Sequence, residues 1–375
     1  MKKIIFLFGT RPEAIKMAPV VKQFISHSNH FITKVCVTAQ HRDMLDQVLD
    51  FFDINTDYDL DLMKPNQNLY QLTASIFESL KKVFDEFNPD FVFVHGDTTT
   101  TMAGSIAGFY SGAKVCHIEA GLRTYDKLSP FPEEINRQIT SRVSDYHFAP
   151  TNKSKSNLLS ENISESSILV TGNTVIDALF EGLKILESYQ SETLRSIKSK
   201  FSVNDDIILV TAHRRENHGE GFKNICSALK KIANKTPDVK IIYPVHLNPN
   251  VKGPVEMYLS GIENIFLIDP VSYPEFIYLM SISKLIITDS GGVQEEAPSI
   301  GKPVLVMRDT TERPEAVSAG TVILVGTDTA KIYNETISLL ENNEKYEKMS
   351  LLHNPYGDGK ASKRIVEFIK NYDND

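Results

Sequence analysis

Short runs of consecutive apolar residues alternate along this chain with longer stretches in which apolar residues recur every three or four positions. IIFLF near the start, FVFV at 91–94, ILV at 168–170 and LIIT at 285–288 are runs of the first kind. Such runs, lacking polar alternation, suit parallel strands buried on both faces. The stretch 68–87 is of the second kind, with Leu69, Leu72, Ile76, Leu80, Val83 and Phe87 at helical spacing. The pattern predicts strands at 3–8, 31–38, 91–95, 114–118, 145–149 and 168–171, with helices between them. After VTGNTVIDAL (170–179) the chain turns polar and rich in Lys and Ser over 188–206, and the alternation restarts at DIILVTAH. Further strands are expected at 239–245, 264–268, 284–288, 303–306 and 321–325. The expected class is therefore α/β, with two Rossmann-like domains joined near 172 and a cleft between them as the natural binding place.

Composition narrows the function. A length of 375 residues fits two domains of ordinary size, and 41% hydrophobic with 23% charged residues is a globular balance. A net charge of −8 argues against a sequence-independent nucleic-acid binder, which needs a basic face. Cys36, Cys116 and Cys226 lie far apart in apolar patterns without metal spacing, so reduced buried thiols in the cytoplasm are expected. Met1-Lys2-Lys3 before IIFLF imitates a signal peptide, but its apolar run is too short and reads as the first strand. No apolar stretch reaches membrane-spanning length, so no membrane partner is expected.

Candidate chemistry gathers where strands end, since ligands of open α/β sheets bind outside the carboxyl ends of the strands. FVFVHGDTTTT and KVCHIEAGLRT each run a strand into a carboxylate, Asp97 and Glu119, and Glu133 follows in FPEEINRQ. Asp97 can equally be read as a helix cap, and Glu133 as a first-turn acid paired with Arg137. His95 and His117 each precede an acid by two residues, which leaves a divalent-metal reading open beside that of hydrogen-bonded core histidines. Arg11 and Lys16 flank a helix start at Gly9-Thr10-Arg11-Pro12, where an anion site and a solvated turn are both possible. In the second half, Asp289-Ser290-Gly291-Gly292 joins a strand to a helix, and its glycines let a diphosphate approach the backbone. Glu295 or Glu296 is placed to bond ribose hydroxyls. TAHRREN ends a strand in His213, Arg214 and Arg215, bases that are costly to bury without anions. No GxGxxG follows the first strand, so the usual dinucleotide fingerprint is missing.

GTRPEAIKMAPV, TAQHRDMLDQVL, HGDTTTT, HIEAGLRT, FPEEINRQ, TGNTVIDAL, TAHRREN, DSGGVQEEAPSIGKPVLVMRDTTERPEA and NPYGDGKAS occur in this order from residue 9 to about 362. Together they resemble the bacterial non-hydrolysing UDP-N-acetylglucosamine 2-epimerases. The resemblance implies a glycosyltransferase B type fold, with a helix over about 358–372 crossing back to the first domain. On that division residues 1–172 and about 356–375 form one domain and 173–355 the other. It implies interconversion of UDP-GlcNAc and UDP-ManNAc for cell-surface polysaccharide, without nicotinamide, metal or other cofactor, in a homodimer. Asp97, Glu119 and Glu133 match the family's catalytic carboxylates and His213 its active-site histidine. Arg11, Lys16, Ser290, Gly291, Gly292 and Arg313 match positions near the diphosphate, Glu296 matches the ribose ligand, and Arg137 orients or charge-balances the acids. Several bacterial members are activated by a second UDP-GlcNAc; Gln40, His41, Gln67, Arg214 and His246 match residues used there, although Asn66 stands where an arginine is frequent. Rival readings are an epimerase for a modified UDP-sugar of the 2,3-diacetamido uronate type, a glycosyltransferase of the same fold, and a nucleotide-sugar sensor.

Overall fold

A computed structural model describes residues 1–38, 42–63 and 67–372. These divide into two compact units, Met1–Glu181 with Tyr356–Asp375, and Gly182–Pro355. Each is a parallel sheet covered by helices.

In the first unit the strands are β1 (Lys2–Phe8), β2 (Phe31–Val37), β3 (Tyr58–Asp59), β4 (Phe91–His95), β5 (Lys114–Ile118), β6 (Tyr146–Ala149) and β7 (Ile168–Val170). Among the described residues they form one sheet in the order β3-β2-β1-β4-β5-β6-β7. Every residue of β4 is buried, as expected of a strand with helices on both faces. Phe6 stacks on Phe93 at 4.8 Å across the β1–β4 pair, and Phe24 meets Phe93 edge-on from helix Arg11–Ser26. The strand order reverses at β1 and β4. A doubly wound sheet opens its ligand crevice at such a point, beyond the carboxyl ends of the strands.

Helix Ala361–Lys370 belongs to this unit and buries Ile365, Val366 and Ile369. Phe368 packs edge-on against Tyr146 and Phe148. Its first turn is capped from afar: buried Asp177 accepts from the Ala361 N–H at 3.1 Å, the Ser362 N–H at 2.8 Å and the Ser362 hydroxyl at 2.5 Å. Burial raises the Asp177 pKa, and these hydrogen bonds oppose the rise. Asp177→Ala is expected to cost about 2 to 3 kcal/mol, the sum of a lost cap and lost charge-assisted hydrogen bonds. Hydrogen exchange would show it as early release of amides in 361–370. Unchanged protection there would refute the capping role.

In the second unit β8 (Ile207–Thr211), β9 (Lys240–Pro244), β10 (Ile265–Ile268), β11 (Leu285–Thr288), β12 (Val304–Val306) and β13 (Val322–Leu324) run parallel in the order β10-β9-β8-β11-β12-β13. Its order reverses between β8 and β11, so the loops after those two strands frame its crevice. The polar stretch after 188 contains helix Glu192–Lys200, capped by Ser191 and anchored by buried Leu194 and Ile197.

Candidate functional site

The first unit's candidates stand on the loops after β1, β4 and β5. The turn after β1 is closed by an acid that the sequence reading passed over. Thr10 and Glu13 form a capping box at the start of helix Arg11–Ser26. One Glu13 oxygen accepts from the N–H groups of Gly9 and Thr10 at 3.1 and 2.9 Å; the other accepts from the hydroxyls of Thr98 and Thr101 at 2.8 and 3.2 Å. Burial raises the Glu13 pKa against these hydrogen bonds. N–H groups of this helix start are therefore occupied by the chain's own carboxylate. The cations that this segment offers an anion are the side chains of Arg11 and Lys16. Gly9 is required by contact, since a Cβ there would lie 2.0 Å from the Thr38 hydroxyl oxygen.

Asp97 does not cap the helix after β4; Thr98 does, accepting from the Thr101 N–H at 3.1 Å. The Asp97 carboxylate instead receives Arg137 at 2.6 Å, and its main-chain oxygen receives the Asn136 amide at 2.9 Å. Glu133 opens helix Glu133–Val143 and is half-buried. The expected Glu133–Arg137 pair is replaced by one between Arg137 and Glu134 at 3.1 Å. Glu134 is fully buried and also accepts from the N–H groups of Thr124 and Tyr125 at 3.0 and 3.2 Å and from Gln138 at 3.0 Å. Burial pushes its pKa up, but these donors and Arg137 outweigh burial and leave it lowered. Arg137 thus bridges a buried structural carboxylate and the partly exposed Asp97.

Glu119 follows the last residue of β5 with φ +63°, a left-handed conformation that non-glycine residues seldom adopt. Its carboxylate, mostly buried, meets the Lys16 ammonium and accepts from the Asn173 amide at 2.9 Å. His95 Nε2 lies 3.9 Å from the same oxygen. Burial holds His95 and His117 neutral, with pKa values lowered to about 4 and about 3. The metal reading fails on geometry: His117 Nε2 is 2.8 Å from the Gly96 carbonyl, Asp97 turns to Arg137, and among the described residues no three His, Cys, Asp or Glu side chains gather to hold an ion.

The second unit's candidates stand after β8 and β11. Asp289, fully buried at the end of β11, accepts on one oxygen from the N–H groups of His213 and Arg214 at 2.8 and 2.7 Å and from Asn217 at 3.3 Å. Its other oxygen is 3.4 Å from His213 Nδ1. The carboxylate fixes the backbone of His213 and faces the Nδ1 side of its ring without a hydrogen bond. His246 stacks on that ring at 5.7 Å. Partial burial lowers the His213 pKa, Asp289 raises it, and His246 and Arg214 lower it further.

Ser290, Gly291 and Gly292 lead into helix Gly291–Glu296. Arg313 lies against Gly291 so closely that a Cβ there would come 2.7 Å from its guanidinium. Glu295 pairs with Arg313 at 2.9 Å, so this acid anchors the arginine, while Glu296 accepts from the buried Tyr273 hydroxyl at 3.3 Å. Beside them Glu312 gathers Arg308 at 2.6 Å, Arg313 at 3.5 Å and Arg214 at 3.9 Å. Burial pushes the Glu312 pKa up, but Arg308 and Arg313 hold it down to about 2. Arg308 and Glu312 organise this basic cluster and were not singled out from the sequence. Of the effector candidates, Arg214 and His246 border His213 and Glu312, and Gln67 is half-buried ahead of helix Leu69–Phe87. Gln40, His41 and Asn66 lie outside the described residues.

Comparison with known proteins places the whole chain in one family. The family model described as UDP-N-acetylglucosamine 2-epimerase matches residues 23–370. The UDP-N-acetylglucosamine 2-epimerase of Yersinia pestis is 56% identical over 373 residues, covering 99% of each chain. A crystal structure of UDP-GlcNAc 2-epimerase from Neisseria meningitidis bound to UDP-GlcNAc superposes with a TM-score of 0.89 at 55% identity, covering 99% of this chain and 100% of that one. The Methanocaldococcus jannaschii enzyme in complex with UDP-GlcNAc and UDP gives 0.79 at 35% identity, with 99% and 100% coverage. These solved neighbours share the two-sheet glycosyltransferase B type fold. With sequence and fold matched from end to end, the chain belongs to the UDP-N-acetylglucosamine 2-epimerase family.

Proposed function

We propose that this protein interconverts UDP-GlcNAc and UDP-ManNAc by eliminating UDP and adding it back on a bound 2-acetamidoglucal. The C2 hydrogen of the sugar has no adjacent carbonyl within the ring, so its simple removal leaves a carbanion beyond the reach of a side-chain base. Elimination avoids this. A base takes H2, the C–H electrons form the C1=C2 double bond, and the C1–O bond breaks to release UDP. Protonation of C2 from the opposite face with return of UDP to C1 gives the epimer. Two faces call for two proton-handling groups, and the leaving diphosphate calls for fixed cations and donors.

The observation that carries this reading is the mostly buried Glu119 carboxylate, held beyond β5 by Lys16 and Asn173. Glu119, Asp97 and Glu133 are assigned to proton transfer, with Arg137 balancing Asp97. The diphosphate is assigned to Ser290, Gly291, Gly292, Arg313 and His213, with Arg11 and Lys16 near it, and the ribose to Glu296. Sugar chemistry thus falls to the first unit and nucleotide binding to the second. A second UDP-GlcNAc acting as activator, through Gln40, His41, Gln67, Arg214 and His246, belongs to the same reading, as does a homodimer. The cysteines, buried and free of disulfides, suit the reducing cytoplasm.

The test is incubation with UDP-GlcNAc in D2O without acceptor, followed by NMR. Deuterium at C2 together with UDP-ManNAc is expected. Free ManNAc with UDP would identify a hydrolysing enzyme instead, and absence of exchange would refute elimination. Starting from UDP-ManNAc, trace UDP-GlcNAc should raise the initial rate; equal rates remove the activator.

A further inference from the structure

His95 is the last residue of β4, buried at 3% exposure, and neither ring nitrogen has a hydrogen-bond partner. Buried polar atoms left in this state are rare and ask for an explanation. His117, by contrast, has its Nε2 set against the Gly96 carbonyl, which fixes its tautomer. No such bond fixes His95.

Glu119 needs a neighbour of this kind. If it takes and returns a proton, it alternates between a carboxylate, which only accepts hydrogen bonds, and a carboxylic acid, which also donates one. Lys16 can only donate. Asn173 also donates, because its amide orientation is fixed by the Val175 N–H on its oxygen at 3.0 Å. An imidazole free to change tautomer can donate to the carboxylate and accept from the acid.

We propose that His95 is a positioning residue for Glu119, a neutral imidazole whose Nε2 donates to the ionised carboxylate and accepts from the protonated one. The inference rests on the catalytic reading of Glu119. Its separation of 3.9 Å from Glu119 exceeds hydrogen-bond range and has to close by about 1 Å, as such contacts do when substrate binds. The charged and titratable groups facing it are Glu119 just beyond β5, His117 from β5 and Lys16 from helix Arg11–Ser26. Burial keeps its pKa near 4, so near neutral pH it orients the proton without carrying it.

The test follows kcat and KM for C2 deuterium exchange against pH, with thermal melting, in His95→Phe and His95→Gln. His95→Phe should lower kcat by ~100-fold with KM within ~twofold, and move the acidic limb of the kcat profile to higher pH because the carboxylate has lost a donor. His95→Gln, which offers donor and acceptor on one amide, should recover ~10-fold of the loss. If His95→Phe does not fold, His95→Gln decides, and a kcat within ~twofold of the parent there refutes the need for an imidazole that changes tautomer. A folded His95→Phe with wild-type kcat, or a loss confined to KM and melting temperature, refutes it too. Glu119→Gln run alongside separates the two readings: if that variant still exchanges, the catalytic assignment of Glu119 has failed, whereas its silence beside a fully active His95→Phe removes only the role of His95.

Discussion

Replacing Glu119 with Gln is expected to slow C2 deuterium exchange in UDP-GlcNAc by ~10³-fold or more, while UDP affinity stays within ~threefold. Gln keeps the shape of the side chain and removes its capacity to take a proton. The backbone position supports a functional reading. At φ +63° a residue with a Cβ costs about 1 kcal/mol relative to ordinary conformations. Strain of that kind persists where the surroundings overdetermine it, and it gathers at functional sites. Here strand pairing through Ile118 fixes one side of Glu119, and Gly121 fixes the other, since a Cβ on Gly121 would lie 2.3 Å from the Ser154 carbonyl oxygen. The turn aims the carboxylate at Lys16 and Asn173 in place of the side it would take as a continuing strand. UDP affinity is expected to survive because Ser290, Gly291, Gly292, Arg313, His213 and Glu296, most of the groups assigned to the nucleotide, are in the second unit, and of the rest only Lys16 is paired with Glu119. Exchange by NMR and UDP binding by calorimetry check the two halves, and a Gln variant within tenfold of the parent rate would overturn the role given to Glu119.

How much of this was legible in the sequence depended on the distance over which residues act. The strands were readable because a parallel strand covered on both faces needs an unbroken apolar run, and β1 and β4 are such runs. β3 escaped because Tyr58–Asp59 is a two-residue edge strand set among acidic residues, with no apolar run to announce it. The candidate acids were visible because strand ends are. Their partners were harder to see. In FPEEINRQ helical spacing alone allowed Arg137 to pair with either acid, and only the packing of helix Glu133–Val143 decides that Glu134 is buried. Thr10 and Glu13 stand at capping-box spacing, so half of Glu13's role was available locally. Its bonds to Thr98 and Thr101 are set by the neighbouring of β1 and β4 in the sheet. Asp289 and Asp177 are of the same kind, since their partners come from β8's loop and from residues 361 and 362. Local chemistry marked the groups at strand ends, while the groups that hold them in place became evident from the topology.

The first unit is expected to lose stability as pH falls below about 6.5, through three histidines that it buries uncharged. His95, His117 and His147 sit at neighbouring positions on β4, β5 and β6, and each is almost fully buried. Burial lowers their pKa values to about 4, about 3 and about 4 from the ordinary 6.5; for His147 the Arg123 guanidinium adds to the effect. The sign follows from proton counting. Between about 6.5 and 4 the unfolded chain binds a proton at each histidine and the folded chain does not, so stability falls as pH falls. Full titration amounts to on the order of 10 kcal/mol, comparable with the whole stability of an ordinary domain, so unfolding should come before it is complete. Glu13 and Asp177 act in the opposite sense, because their raised pKa values favour the folded state as they take up protons. Their range runs upward from the ordinary carboxylate values, so they offset part of what the histidines lose. Chemical denaturation at a series of pH values between 6.5 and 4.5 should show a slope that grows from about 1.5 protons toward three as the unfolded histidines fill, less what Glu13 and Asp177 offset, and His147→Gln should reduce it by about a third of the histidine contribution. A slope that neither His147→Gln nor His95→Gln changes would mean that these histidines are charged in the folded state, and with it the neutral imidazole proposed beside Glu119 would fail.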